Sequence, residues 1–191
     1  TKKAKDFYSF FVSGNILETD AKTAEMCKLA ENSFRDLNIA FANELSMICD
    51  NQGINVWNLI KLANKHPRVN ILQPGTGVGG HCIAVDPWFI VSQNKEKAKL
   101  IQTAREINNY KTKWVINKIK NHVDSYQKNG IKPNITCLGV AFKPNIDDLR
   151  ESKALEVAKT LLAEGFEVIT VEPNIKSHKN FKILNLFDAI E

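Results

Sequence analysis

The sequence predicts an α/β chain in which a helical central region leads into a parallel βαβ unit. Three stretches carry that prediction. Asp20–Asn51, "DAKTAEMCKLAENSFRDLNIAFANELSMICDN", runs without Gly or Pro and keeps a helical period. "NKEKAKLIQTAREINNYKTKWVINKIKNHVDSYQKNG" does the same up to Gly130. After Pro133 come "ITCLGVAF", an apolar run of strand-favouring residues, the amphipathic "SKALEVAKTLLAEG", and a second strand pattern, "EVITVEP". Strand, helix and strand in that order imply parallel pairing through a crossover helix.

Residues 1–18 read as a lead-in, with "GNILETD" expected to form a turn, a short strand and a helix cap. Asp20 is a natural N-cap, and Gln52-Gly53 supplies the stop. Around the long helix, Ala30, Phe34, Leu37, Phe41 and Ile48 form one apolar stripe. Lys28, Asn32, Ile39 and Asn43 fall on the opposite face. A helix this long with two distinct faces is expected to pack beyond its own domain, against a second subunit. Residues 19–132 are therefore read as a central dimerisation region. Within it, "NVWNLIKLANKH" is a shorter helix ended by Pro67, Arg68–Pro87 is a loop, and the later long helix is expected to break near Asn108–Asn109. A domain boundary falls near Lys132, and residues 133–191 form a partial, Rossmann-like second domain.

Composition narrows the function classes. With 43% hydrophobic and 25% charged residues the chain is an ordinary water-soluble type. No apolar run approaches the roughly 18 residues of a membrane span, so no membrane partner is expected. The net charge of +5 comes from scattered lysines, with no basic tract and no nucleic-acid motif. That favours a small anionic ligand over a nucleic acid. Cys27, Cys49, Cys82 and Cys137 form no C-x-x-C pair. Neither a metal site nor a disulfide framework is expected, which fits a reducing cytoplasm. The first residue is not Met and the last follows closely on an apolar run, as in a piece of a longer protein.

The most informative stretch is "QPGTGVGGHCIAVDPWF", Gln73–Phe89. Gly75, Gly77 and Gly80 spell G-x-G-x-x-G, but a dinucleotide loop needs a strand before it, a helix after it and an acidic residue about 20 positions on. Here "PRVNILQP" ends in Pro74, Pro87 closes off a helix from the glycines, and no strand ending in an acid follows. The other reading is that the glycines bring the backbone close to a sugar or phosphate and hold Cys82 at a fixed point. A single cysteine is most often inert filler. Cys82 differs from the other three in its glycine-rich loop and its neighbours His81 and Asp86. A Cys-His pair is disfavoured, because neighbours in sequence rarely point at each other.

"GVGGHCIAVDPWFI", "TAEMCKLAENSFRDLNIAFANEL", "HPRVNILQPGTGVGGHC" and "FKPNIDDLRES" together resemble the UDP-glucose/GDP-mannose dehydrogenase family, in the family's order and from about Thr19 to Pro173. Within it, "HCIAVDPWF" and "HPRVNILQP" are most similar to the branch whose substrate is a UDP-linked acetamido-mannose. The resemblance implies an NAD-dependent enzyme that oxidises a sugar's primary alcohol to a carboxylate in two hydride transfers, and a homodimer joined through the long helix. It implies Cys82 as a nucleophile that forms a thiohemiacetal and then a thioester. It also implies Lys28 and Asn32 as oxyanion and water partners, Asp86 as the carboxylate that activates the water, and Arg68, Gly79, Gly80, Phe142 and Lys143 as substrate contacts. Arg150 is the implied contact to cofactor phosphate. The i, i+4 spacing of Lys28 and Asn32 puts both on one helix face, independently of the family. Residues 1–18 are too short to be the family's NAD-binding domain and are expected to be its remnant. The competing expectations are a non-catalytic dimerisation and nucleotide-binding module on the same scaffold, or a dehydrogenase of another UDP-sugar.

Overall fold

The computed structural model describes residues 2–190. Its first element is a helix, α1 (Lys2–Tyr8), and residues 12–20 form no strand. The strand expected in "GNILETD" lacks a partner edge, without which a short apolar run gains no ladder. The long helix α2 (Ala21–Asn51) starts where the sequence places it. Asp20 caps it, its carboxylate accepting from Thr23 N at 3.0 Å and from Thr23 Oγ1 at 2.6 Å. Gly53, with φ of 66°, ends the following turn. Helix α3 (Val56–Ala63) is capped by Asn55.

Two expectations about the helices are corrected. The loop ends earlier than expected, because Asp86–Gln93 is a helix, α4, with Pro87 in its first turn. A proline there forfeits an N–H that has no partner anyway, so it starts a helix as readily as it breaks one. Helix α5 (Lys99–Lys128) is unbroken at Asn108–Asn109. Asn108 is fully buried and spends its amide on α2 instead of competing for its own backbone.

The second half is a three-stranded parallel sheet, β1 (Ile135–Leu138), β2 (Val168–Val171) and β3 (Ile183–Leu184), in that order. Ile135 pairs with Val168 and Thr170 with Ile183. Helix α6 (Lys153–Ala163) is the crossover, capped by Ser152, and α7 (Leu186–Ile190) closes the described chain. Strand β1 stops four residues short of the "ITCLGVAF" run, because Gly139 takes φ of 91°. The apolar core here joins Val140, Leu155, Val157, Ala158, Leu161, Val168 and Phe181 to Ile116 of α5. Helix α5 thus serves both halves, bonding α2 from Arg105 to Lys118 and packing on α6 through Ile116 and Lys120.

Helix α2 is inside-out relative to a simple amphipathic helix. Phe34, Phe41 and Ile48 of the apolar stripe are 69%, 52% and 48% exposed. The buried face carries Asn32, Ser33, Asp36, Asn43 and Ser46, of which Asp36, Asn43 and Ser46 meet Arg105, Asn108 and Lys111 of α5. Buried polar groups are tolerated when each finds a partner, and nearly all of these do. Asp36 and Arg105 pair at 2.6 Å, although Asp36 Oδ2 and Arg105 Nε have none. Burial raises the Asp36 carboxyl above its usual range despite Arg105 and Asn108.

At the end of β2, Glu172 is 5% exposed and ties β2 to the turn after β1. Its Oε2 accepts from Val140 N and Ala141 N, both at 3.0 Å, and Oε1 accepts from Asn174 N at 3.3 Å. Burial works against its charge, but the amide donors prevail and hold the carboxyl below its usual range. A depressed carboxyl adds stability above its unfolded pKa and loses it as the pH falls through the folded one. Glu172→Gln is expected to cost about 1.5–3 kcal/mol at pH 7 and to flatten the loss of stability below about pH 4.5, a value ordinary for Glu. Denaturant midpoints at pH 7 and pH 4 for both proteins check this.

Candidate active site

The Gly75–Gly80 loop lies against protein on two sides. Three of its glycines are there because side chains would not fit. A Cβ on Gly77, whose φ is 127°, would come within 2.6 Å of Thr112 Oγ1 and 2.9 Å of the Asn108 carbonyl. One on Gly79 would run into the carbonyl of Glu151. One on Gly80 would sit 3.1 Å from the Phe142 ring. The loop is thus wedged between α5 and the 142–151 segment that follows β1. The expectation that these glycines clear space for a ligand is corrected for Gly77, Gly79 and Gly80: protein fills the space over each.

Cys82 follows on an exposed turn. Its carbonyl accepts from Val85 N at 3.0 Å and Asp86 N at 2.8 Å, so the turn runs straight into α4. Asp86 opens α4, and its Oδ2 accepts from Asn32 Nδ2 of α2 at 2.5 Å. The structure therefore joins three of the predicted residues, Cys82, Asp86 and Asn32. Lys28 stands one turn earlier on α2, its ammonium 3.6 Å from Glu31. It lines a cleft with Met26, Leu29, Phe89, Ile90 and Gln93, and Cys82 is not among the lining residues. An exposed ion pair of that length is weak and exchanges readily.

A second group forms around the segment after β1. Phe142 lies on Gly80, and the Lys143 ammonium is 5.5 Å from the Phe142 ring. Arg150 is exposed and grips Asp148 in a fork, at 2.6 Å from Nη2 and 3.0 Å from Nε. Hydrogen bonds from Arg150 hold the Asp148 carboxyl down to about 2, with His81 adding a smaller push in the same direction. Glu151 takes φ of 51°, a strained value for a non-glycine residue. Arg68 is exposed on the turn after α3, its backbone N–H donating to His66 Nδ1 at 3.3 Å. The sequence reading missed Asp148, Glu172, Asn43, Asn108 and Thr112. For the last three a signal existed, since they place uncharged polar residues on the mutually facing sides of two long helices.

A separate cavity lies between the helices. About 440 Å³ opens between α2, α3 and α5, lined by Ser46, Trp57, Pro74, Gly75, Lys111 and Trp114 among others, and Cys82 is not part of it.

With two long helices leading into a parallel three-stranded sheet and a glycine loop wedged between them, the chain is an α/β protein. It belongs to the UDP-glucose/GDP-mannose dehydrogenase family: residues 22–110 match the model of that family's central domain and residues 136–190 that of its UDP binding domain. UDP-N-acetyl-D-mannosamine dehydrogenase of Escherichia coli (strain K12) is 60% identical over 179 residues, 91% of this chain and 42% of that protein. NDP-N-acetyl-D-galactosaminuronic acid dehydrogenase of Ralstonia solanacearum is 57% identical over all of this chain and 45% of its own length. The solved UDP-D-ManNAc dehydrogenase of Pyrococcus horikoshii superposes with a TM-score of 0.87 at 40% identity, covering 100% of this chain and 44% of that one. The chain thus spans less than half the length of these relatives.

Lys111 is 4% exposed, bonded to Ser46 Oγ at 2.6 Å and lying 3.9 Å over the Trp114 ring. Burial lowers its pKa to about 8, against an opposing pull from Asp50. Between about 8 and the ordinary value of 10.5, the unfolded chain holds a proton that the folded one lacks, so folding stability rises with pH there. Lys111→Met is expected to abolish that rise. Unfolding free energies at pH 7.5 and pH 10, measured on both proteins, check it.

Proposed function

We propose that these residues are the central and UDP-binding parts of an NAD-dependent UDP-sugar 6-dehydrogenase, that its substrate is UDP-N-acetyl-D-mannosamine, and that Cys82 is its nucleophile. The observation that carries the reading is the Cys82–Asp86–Asn32 arrangement: an exposed thiol on a turn whose last residue is a carboxylate bonded to the long helix. The choice of sugar follows the names of relatives near 60% identity and the two motifs that resemble that branch. Four free cysteines suit work in a reducing cytoplasm.

The described residues do not make a dinucleotide cradle, since the loop's glycines pack against protein and no strand leads into them. The hydride acceptor is therefore assigned to residues outside this chain, with Arg150 as the contact offered to its phosphate. NAD, when bound, supplies hydride acceptance. What this chain supplies is the covalent half. The Cys82 thiolate adds to the aldehyde carbon at C6, forming a C–S bond while the carbonyl pair moves onto oxygen. Lys28, released from Glu31, places its ammonium on that oxygen, beside the Asn32 amide. Loss of hydride leaves a thioester on Cys82. Asp86 takes a proton from water, the water attacks the thioester carbon, and the C–S bond breaks to return the thiolate. Phe142, Lys143, Gly79 and Gly80 border the substrate from the 142–151 side, and Arg68 reaches the substrate of a partner subunit.

The homodimer is proposed on the exposed stripe of α2, where three large apolar side chains lie along one face of a 31-residue helix.

In the intact enzyme, Cys82→Ser is expected to slow aldehyde oxidation by about 10³-fold or more while UDP-sugar affinity stays within about threefold. Stopped-flow measurement of the second oxidation checks it. Turnover within about twofold of the parent would end the nucleophile assignment and favour the non-catalytic module. Phe41→Asp is expected to shift the sedimenting species from dimer to monomer, and an unchanged species would remove α2 from the interface.

A further inference from the structure

The loop that presents Cys82 has no regular structure between Asn70 and Gly80, yet its backbone is held at two successive residues. Gly75 N donates to Asn43 Oδ1 of α2 at 2.8 Å. The Thr76 carbonyl accepts from Thr112 Oγ1 of α5 at 2.7 Å. Gly77 then presses onto Thr112 and Asn108 where its missing Cβ would be. Asn43, Asn108 and Thr112 are all fully buried.

The direction of these bonds is forced. Asp36 accepts from Asn108 Nδ2 at 2.8 Å and from Arg105 at 2.6 Å. A carboxylate has no proton to give, so Asn108 must turn its Nδ2 to Asp36 and its Oδ1 the other way. That Oδ1 accepts from Asn43 Nδ2 at 2.8 Å. Asn43 must then turn its own Oδ1 to the loop, where it meets the Gly75 N–H. The relay from Arg105 through Asp36, Asn108 and Asn43 thus ends as an acceptor aimed at one peptide of the loop.

The other end of the segment is held to the same helix. Asp86, four residues after Cys82, is bonded to Asn32. Asn32 and Asn43 lie about three turns apart on one face of α2, roughly 16 Å at 1.5 Å per residue. The Gly75–Asp86 segment is therefore strapped at both ends to one rigid rod, with the cysteine between the straps.

We infer that Asn43 and Thr112 are positioning residues for Cys82, fixing where the thiol meets its substrate. The inference rests on the reading of Cys82 as nucleophile. Neither residue touches substrate, and both act through the backbone of residues 75–77. A displacement of about 1 Å at a reacting atom can cost on the order of 10²-fold in rate.

The test uses the intact enzyme, with Thr112→Val as the near-isosteric loss of one strap, Thr112→Ser as the variant that keeps the hydroxyl, and Asn43→Ala as the loss of the other. Two readouts are taken at a temperature where circular dichroism shows each variant folded: the kcat and KM of aldehyde oxidation, and the rate of iodoacetamide alkylation of the Cys82 peptide, followed by peptide-mapping mass spectrometry. Thr112→Val is expected to lower kcat about 10- to 100-fold with KM for the UDP-sugar changed less than about twofold, and to change the Cys82 alkylation rate at least threefold. Thr112→Ser should restore both. If Asn43→Ala does not fold, the Thr112 pair decides alone. A folded Thr112→Val with kcat and alkylation both within about twofold of the parent overturns the inference and leaves these bonds a structural role only. Failure of the underlying reading shows differently, as a Cys82→Ser enzyme that still oxidises the aldehyde.

Discussion

The polar seam between α2 and α5 is the constraint on which the rest depends. Two long helices of a small protein would ordinarily meet through apolar residues. Here they meet through Asp36, Asn43 and Ser46 on one side and Arg105, Asn108 and Lys111 on the other. Such a seam is less forgiving than an apolar one. Each buried donor needs its acceptor, so only one axial register and one rotation of the helices satisfies the set. That rigidity is useful to a loop with no structure of its own, because the seam's outermost groups bond to the loop's backbone. It also leaves Phe34, Phe41 and Ile48 of the apolar stripe of α2 facing outward.

The same loop joins the two halves of the molecule. On one face Gly77 rests on α5, and on the other Gly79 and Gly80 rest on Glu151 and Phe142. The 142–151 segment is itself fixed from behind, since Glu172 caps the amides of Val140 and Ala141, and Ser152 Oγ donates to the Val140 carbonyl at 2.7 Å. The cysteine turn therefore sits where a helical scaffold and a parallel sheet meet, a common location for sites that handle a nucleotide and a reactive carbon together. The charge arrangement agrees: Lys143 and Arg150 stand exposed at the C-terminal side of β1, where a diphosphate would be met.

Much of this was legible in the sequence, and the reasons are local. Asp20 and Gly53 mark the ends of α2 because caps and positive-φ glycines act within a few residues. The β1–α6–β2 unit was legible because strand, cap and helix follow one another with clear periodicity. What was not legible depended on partners far away in sequence. Helix α4 was hidden by Pro87, whose meaning reverses at a helix start. The tiny β3 forms only because β2 offers it an edge. The interruption expected at Asn108–Asn109 does not occur, since Asn108 has Asp36 and Asn43 to bond, 72 and 65 residues away in sequence. The glycines of the loop were visible, but not whether ligand or protein stands over them. Of the site, the structure bonds Asn32 to Asp86, while Lys28 pairs with Glu31.

The proposed mechanism requires the substrate's C6 carbon to pass through a covalent bond to Cys82, with Asp86 needed to release it. Mass spectrometry of an Asp86→Asn enzyme incubated with UDP-sugar and NAD measures this most directly, by weighing the peptide that contains Cys82. The proposed mechanism predicts an acyl adduct on Cys82 of the UDP-sugar's mass less four hydrogens, which accumulates within the first turnover and is released by hydroxylamine. An unmodified Cys82 peptide in an enzyme that still binds and oxidises its substrate, or an adduct on another residue, would contradict it.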